Sequence, residues 1–158
     1  TKNAFMPNLE AYYTTYELDQ RIDTPTNLDH ALVERLLAAQ PKDISFPSVV
    51  GNSIAADDFY LGQCRYDGAM RARKDADYRA KFFAKVHELD ICNFEMESSA
   101  LAAFCNRAKI PATMIAVTLV NRFEGDQIKS SAEQLVEFSE RSQQVVINYL
   151  LSRKDLSN

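Results

Sequence analysis

Segments with a strand-like pattern of apolar residues alternate along the chain with segments of helical periodicity. Tyr12–Ile22 is rich in Tyr and Thr and alternates loosely, so it predicts a strand that Pro25 ends. Phe46–Ala55 and Ile91–Met96 predict two further strands. The β-branched run Thr113–Val120 predicts a strand that is buried on both faces.

Four amphipathic helices are predicted by apolar residues three or four positions apart. Thr26 or Asn27 is expected to cap the first helix, which ends before Pro41. Ser130 with Glu133 forms a capping-box pattern before the last helix, which continues to about residue 152. The apolar positions are Leu28, Ala31, Leu32 and Leu36; Tyr78, Phe82 and Val86; Ala100, Leu101, Phe104 and Ala108; and Leu135, Phe138, Val145 and Tyr149.

This alternation predicts the α/β class with a largely parallel central sheet, arranged as a three-layer αβα sandwich. The 158 residues, 46% of them hydrophobic, suffice for one globular unit without a linker. A net charge of −4 argues against nucleic acid and anionic membranes as partners. Three scattered cysteines without a CxxC pair indicate reduced thiols in the cytoplasm, and no His/Cys/Asp cluster has the spacing of a metal site.

A polar loop follows the predicted strand Phe46–Ala55, where open α/β sheets bind their ligands. Gln63 and Arg65, two residues apart on an expected extended segment, can project toward the same side. A Gln amide donates and accepts hydrogen bonds and an Arg guanidinium is a rigid cationic fork, so the pair matches the edge of uracil. Phe59 offers an aromatic face to the ring. An ordinary surface loop with a structural Arg–Asp pair explains the same residues.

A second candidate segment, Asn93–Ser98, joins a predicted strand to the next helix. Glu97 can accept charge-assisted hydrogen bonds from two sugar hydroxyls, and Met96 can lie against the apolar face of a ribose. An acidic residue that favours the helix dipole and a core methionine explain the pattern equally. Glu95 and Glu97 also suggest the paired acids of a glycosidase, although neither has an evident partner for that role.

Three segments that occur in this order resemble the nucleoside phosphorylase family. FYLGQCRYDGA (Phe59–Ala69) is similar to the pyrimidine-recognition loop of its uridine phosphorylase branch, and this pattern is specific. NFEMES (Asn93–Ser98) is similar to the ribose-binding signature, which purine-specific relatives share. VTLVNR (Val117–Arg122) resembles the strand beside the base site, and VVGNSIAADDFY (Val49–Tyr60) resembles the animal-type version. The resemblance covers nearly the whole chain.

The resemblance implies a role for each matching residue. Gln63 and Arg65 would hydrogen-bond the uracil and stabilise it as a leaving anion, and Glu97 would bind the ribose hydroxyls, so these three are the predicted catalytic residues. The implied substrate-binding residues are Phe59, which would stack on the uracil, Gln63, Arg65, Phe94, Glu95, Met96, Glu97, Leu119, Val120 and Arg122. Leu119 and Val120 would form an apolar wall beside the base.

Arg122 follows the last predicted strand and has two possible roles. It can reach the pocket, where the resemblance implies a contact on the O4 side of the base, or it can pair with Glu124 or Asp126. Purine-cleaving relatives carry an Asp at the position of Asn121, so Asn121 favours a pyrimidine.

The implied reaction is the reversible phosphorolysis of uridine to uracil and ribose 1-phosphate in pyrimidine salvage. Phosphate is the co-substrate and no organic cofactor is expected. The resemblance implies a homodimer, as in animal-type members, with the hexamer of bacterial members as the alternative. Other possibilities are a nucleoside phosphorylase for another base and a non-catalytic paralogue or truncated nucleoside-binding form.

The resemblance further implies that residues 1–158 are the C-terminal, nucleoside-binding half of a single phosphorylase domain. The family binds phosphate through a Gly-rich loop and arginines of the N-terminal half, which is absent from this sequence, and through a histidine of the neighbouring subunit. We therefore expect open sheet edges and no catalysis from the 158 residues alone.

Overall fold

A computed structural model describes residues 1–70 and 76–154 of the chain. The elements are β1 (Ala4–Phe5), β2 (Tyr12–Glu17), β3 (Gln20–Pro25), α1 (His30–Ala38), β4 (Asn52–Ala55), α2 (Ala76–Glu88), β5 (Ile91–Glu95), α3 (Ser98–Ala108) and α4 (Ala132–Lys154). They divide into two compact units, the first formed by residues 1–29 and 51–114, the second by residues 30–50 and the chain from 115 onward. Over the described ranges, no helix is both long and apolar enough to cross a membrane.

The first unit is built on a parallel sheet in the order β1-β4-β5. Ile54, Val86 and Ile91 are buried in its core, where helix α2 packs against strand β5. Strand β4 is shorter than predicted because the ladder begins only at Asn52, next to an irregularity in its register. Gly51 lies just before the strand and approaches its neighbour closely, since a Cβ there would lie 2.6 Å from the sulfur of Cys92.

The single strand predicted over Tyr12–Ile22 is wrong, because the segment folds into the antiparallel hairpin β2–β3. In the turn between the strands Leu18 has a φ of 58°. This left-handed conformation is uncommon for residues other than glycine, so the turn has no signal in the sequence. The expected helix cap is also wrong. The hydroxyl of Thr26 donates to the carbonyl of Ala4 instead, and Asn27 accepts from the amide of Asn106.

Helix α3 lies where predicted but buries a different face. Its buried positions are the small residues Ser98, Ser99, Ala102 and Ala103. Leu101 and Phe104, expected in the core, are 44% and 61% exposed. Helix α3 contacts the strands of the first unit. Small side chains pack closely against strands, so the face with Ser and Ala is buried and the face with the larger apolar residues is not.

The second unit pairs helices α1 and α4 through Val33, Leu36 and Val145, which are buried. The side chain of Gln40 bridges the two helices by donating to the carbonyl of Val145 and accepting from Asn148. The capping box of α4 exists but is shifted by one residue from the predicted Ser130–Glu133. Its members are Ser131 and Gln134, whose side chains each accept the main-chain N–H of the other.

The buried strand predicted over Thr113–Val120 is not formed, although all eight residues are described. A strand needs a neighbour to satisfy its main-chain groups, and no strand among residues 1–70 and 76–154 pairs with this segment. Several of its side chains are accordingly exposed, among them Leu119 at 40%. The α/β class with a parallel sheet is nevertheless confirmed.

Candidate active site

The two predicted ligand-binding segments leave neighbouring strands at the same edge of the sheet. Ala55, the last residue of β4, is in register with Glu95, the last residue of β5, and the N–H of Ala56 donates to the carbonyl of Glu95 at 2.8 Å. We call residues 58–68 the β4 loop and residues 93–98 the β5 junction. Because the strands are parallel, both segments emerge at their carboxyl ends, where open α/β sheets form ligand sites.

Gln63 and Arg65 of the β4 loop are buried, with 5% and 8% of their surface exposed. They flank Cys64, which is completely buried and has a φ of 52°. The extended segment predicted here is therefore wrong, because the chain turns and the N–H of Cys64 donates to the carbonyl of Leu61. The guanidinium carbon of Arg65 lies 4.1 Å from the ring centroid of Phe59, a close cation–π contact. The loop therefore holds a cation and an amide inside the fold, unlike an ordinary surface loop.

Phe59, predicted to stack on a base, has a ring that already contacts two neighbouring side chains. Arg65 covers its ring and Tyr60 meets it edge-on, with centroids 5.9 Å apart, yet half of the side chain remains exposed. The ring is thus a platform for the guanidinium of Arg65. Its contact with a base stays a prediction.

Glu95 is engaged in the β5 junction itself. Its carboxylate accepts the main-chain N–H of Glu97 at 2.8 Å and of Ser98 at 2.7 Å, together with the hydroxyl of Ser98. These donors belong to the start of helix α3, whose N–H groups have no partners within the helix. Glu95 consequently stabilises the start of the helix and orients Glu97. Because its carboxylate is engaged in these contacts, the structure argues against Glu95 as one of two glycosidase acids.

Met96 and Glu97 point outward from the junction. Met96 is 41% exposed, so it is not the core methionine of the alternative interpretation. Glu97 is exposed as well, and its Oε2 accepts the N–H of Met96 at 3.1 Å. Phe94 differs, because its ring packs against Phe82 and Phe83 of helix α2 beside the core. Direct binding of substrate by Phe94 and Glu95 stays a prediction that their observed contacts do not support.

The remaining predicted residues lie in the second unit. Leu119 and Val120 contribute to a cavity of about 80 Å³. The Nε of Arg122 donates to Asp126 at 2.9 Å, and both side chains are buried, so the ion pair is the alternative that the structure contains. Asn121 donates to Glu124 at 2.9 Å. The cavity is lined by Leu119, Val120, Asn121, Glu124, Gly125, Gln127, Lys129 and Ser130.

The sequence interpretation missed Asp58, the residue that organises the β4 loop. One carboxylate oxygen accepts the N–H groups of Tyr60 and Leu61, each at 2.6 Å, and the other accepts that of Gly62 at 3.0 Å. The signal was available, because an Asp that follows a strand and precedes a glycine is typical of a turn closed by its own side chain.

Comparison with known proteins agrees with this architecture. Residues 4–152 match the model of the phosphorylase superfamily. A uridine and thymidine phosphorylase of Caenorhabditis elegans is 40% identical over 131 residues, which are 83% of this chain and 44% of the relative. An inactive uridine phosphorylase B of Schistosoma mansoni is 29% identical over 143 residues, 90% of this chain and 48% of the relative.

A solved structure gives the same result for the fold. The crystal structure of uridine phosphorylase from Schistosoma mansoni in complex with thymine has a TM-score of 0.88 and 31% identity, and the match covers 98% of this chain and 54% of that one. The predicted fold of the nucleoside phosphorylase type is thereby confirmed. The chain spans about half the length of the relatives it matches.

Proposed function

This chain belongs to the phosphorylase superfamily, and from that premise we propose that the protein carrying it is a uridine phosphorylase. One observation carries the proposal. The β4 loop, with Gln63 and Arg65 buried, and the β5 junction, with Glu97 exposed, leave adjacent parallel strands at one sheet edge. A cationic fork and an amide suited to a uracil edge thus lie on the segment next to a carboxylate suited to ribose hydroxyls.

In the proposed reaction the bond between C1′ of the ribose and N1 of the uracil breaks, and its electron pair leaves with the uracil. Positive charge builds on the sugar while negative charge builds on the base. Gln63 and Arg65 stabilise that anion with donors that are already in place, and this is electrostatic catalysis. Hydrogen phosphate forms the new oxygen–carbon bond at C1′, giving ribose 1-phosphate, and the proton that it loses ends on N1 of the uracil.

The remaining parts of the proposal come from the family resemblance. Phosphate is the co-substrate and no organic cofactor is used. The protein acts in pyrimidine salvage in the cytoplasm as a homodimer. In the family, phosphate is bound by a Gly-rich loop and arginines of the N-terminal half, and this chain spans about half the length of the relatives it matches.

Replacement of both Gln63 and Arg65 by alanine tests the proposal. In the whole protein, the double variant Gln63→Ala, Arg65→Ala is expected to lower phosphate-dependent release of uracil from uridine at least about 100-fold, since removing one such donor typically costs that much. The matched control is Gln143→Ala, Arg153→Ala, which removes the same residue types from the exposed face of helix α4. Release of hypoxanthine from inosine instead of uracil from uridine, or equal activity in the two double variants, contradicts the assignment.

A second candidate function is nucleoside binding without catalysis. It is favoured by the relative named an inactive uridine phosphorylase B, with which this chain shares 29% identity. The same assay separates the two candidates when it is combined with calorimetry. A whole protein that binds uracil but releases none from uridine, with phosphate present, is the non-catalytic form.

A further inference from the structure

The β4 loop is organised around a single carboxylate that belongs to none of the predicted ligand residues. Asp58 Oδ1 accepts the main-chain N–H groups of Tyr60 and Leu61, each at 2.6 Å, and Oδ2 accepts that of Gly62 at 3.0 Å. Hydrogen bonds to an ionised acceptor are roughly twice as strong as neutral ones. Desolvation opposes the shift, but these three donors hold the pKa of Asp58 below its ordinary value of 3.8.

The residues tied to Asp58 in turn fix the main chain on both sides of Gln63. The carbonyl of Leu61 accepts the N–H of Cys64 at 3.0 Å, and the carbonyl of Tyr60 accepts the N–H of Arg65 at 2.9 Å. Cys64 is completely buried with a φ of 52°, a conformation that persists only where its surroundings impose it. A chain of hydrogen bonds therefore runs from the carboxylate to the main chain of Cys64 and Arg65, the two residues that follow Gln63.

Close packing leaves this turn little room for another arrangement. A Cβ added at Gly62 would lie 3.3 Å from Oδ2 of Asp58 and 3.2 Å from the Cβ of Ala56. Gly68 is equally constrained, because a Cβ there would overlap the ring of Tyr60. Asp57, the preceding residue, is exposed and carries the same charge.

We propose that Asp58 is a positioning residue that holds Gln63 and Arg65 in the geometry required to bind uracil. The proposal rests on the function proposed above. Asp58 acts through the main chain of its own loop, without touching the substrate. Loss of the carboxylate lets the turn relax, and a displacement of about 1 Å at a catalytic group can cost about 100-fold in rate.

The test compares Asp58→Ala, Asp58→Asn and Asp57→Asn in the whole protein, by uridine phosphorolysis and by calorimetric binding of uracil. Asp58→Ala removes all three acceptor contacts and is expected to raise both KM for uridine and Kd for uracil at least about tenfold. Asp58→Asn keeps one acceptor oxygen and loses the contact to Gly62, so it should lie between Asp58→Ala and wild type. Asp57→Asn, with the same change in charge, should match wild type.

These readouts distinguish positioning from a general loss of folded protein. Fewer folded molecules lower the apparent kcat but leave KM and Kd unchanged. If Asp58→Ala does not fold, Asp58→Asn carries the test. Wild-type KM and Kd in the Asp58 variants of an active protein overturn the inference and leave the proposed function intact.

An inactive wild-type protein that binds uracil refutes the proposed catalysis instead. The effect of Asp58 is then decided by Kd alone, with Asp57→Asn as the reference. A wild-type protein that does not bind uracil at all refutes both proposals.

Discussion

In both the β4 loop and the β5 junction a carboxylate binds main-chain N–H groups, but the predicted ligand residues are buried in the loop and one is exposed in the junction. In each, an acidic side chain accepts main-chain N–H groups, three in the case of Asp58 and two, with a hydroxyl, in the case of Glu95. In the loop, the predicted ligand residues Gln63 and Arg65 are buried. In the junction, the predicted ligand residue Glu97 is exposed.

This difference indicates a division of labour. A buried cation has already lost most of its water, so it interacts strongly with an anion that develops beside it. An exposed carboxylate keeps its bound water until a substrate hydroxyl replaces that water, so the net free energy gained from the new hydrogen bond is smaller than for the buried cation. We therefore expect the β4 loop to bind the uracil and to stabilise its charge during bond cleavage, and the β5 junction to act mainly in the binding and selection of the sugar.

The largest effect within the junction is expected from Glu97→Gln in the whole protein. Loss of the charged acceptor should lower kcat/KM for uridine about 10- to 100-fold, because a hydrogen bond to a charged group contributes about 1.5–3 kcal/mol. The change should appear mostly in KM. The preference for uridine over 2′-deoxyuridine should narrow as well, which steady-state kinetics with both nucleosides measures.

The matched control is Glu34→Gln, an exposed glutamate on helix α1. It should leave both nucleosides at wild-type rates. A Glu97→Gln variant that loses kcat alone and keeps its preference for uridine would break the proposed division between loop and junction.

A moderate effect is expected from Phe59→Leu, which removes the ring beneath Arg65. A cation–π contact contributes about 0.5–2 kcal/mol, so Kd for uracil should rise roughly 3- to 30-fold. Phe59→Tyr keeps the ring and should remain near wild type. Calorimetric titration of both variants with uracil checks this. An equal loss in Phe59→Tyr and Phe59→Leu would show that the ring is not the feature that matters.

The same two regions show what the sequence made predictable. Both ligand segments were expected at strand ends, and this is where they lie, because alternation of strand and helix patterns is a local signal. Burial of Gln63 and Arg65 was not foreseen, since they lie in a loop whose turn is closed by Asp58 and in which Cys64 has a left-handed conformation. Periodicity carries no information on such main-chain closure.

The errors in the fold have a related origin. Helix α3 was predicted to bury Leu101, yet it buries Ser98 and Ala102, because contact with the sheet selects small side chains. The segment Thr113–Val120 has the composition of a buried strand but no neighbour that pairs with it among the described residues. Both outcomes depend on what a segment meets in three dimensions, and composition alone does not specify it.

The smallest effect is expected from Glu95, and it separates a shaping role from a binding role. If Glu95 orders the start of helix α3, Glu95→Ala should lower the free energy of unfolding by about 1 kcal/mol, as loss of a helix cap does. Denaturant unfolding measures this change. Because the carboxylate acts through the N–H of Glu97, Glu95→Gln, which keeps an acceptor oxygen, should lower kcat/KM for uridine less than Glu97→Gln does. An equal or larger loss in Glu95→Gln, with stability unchanged, would mean that Glu95 meets the ribose directly.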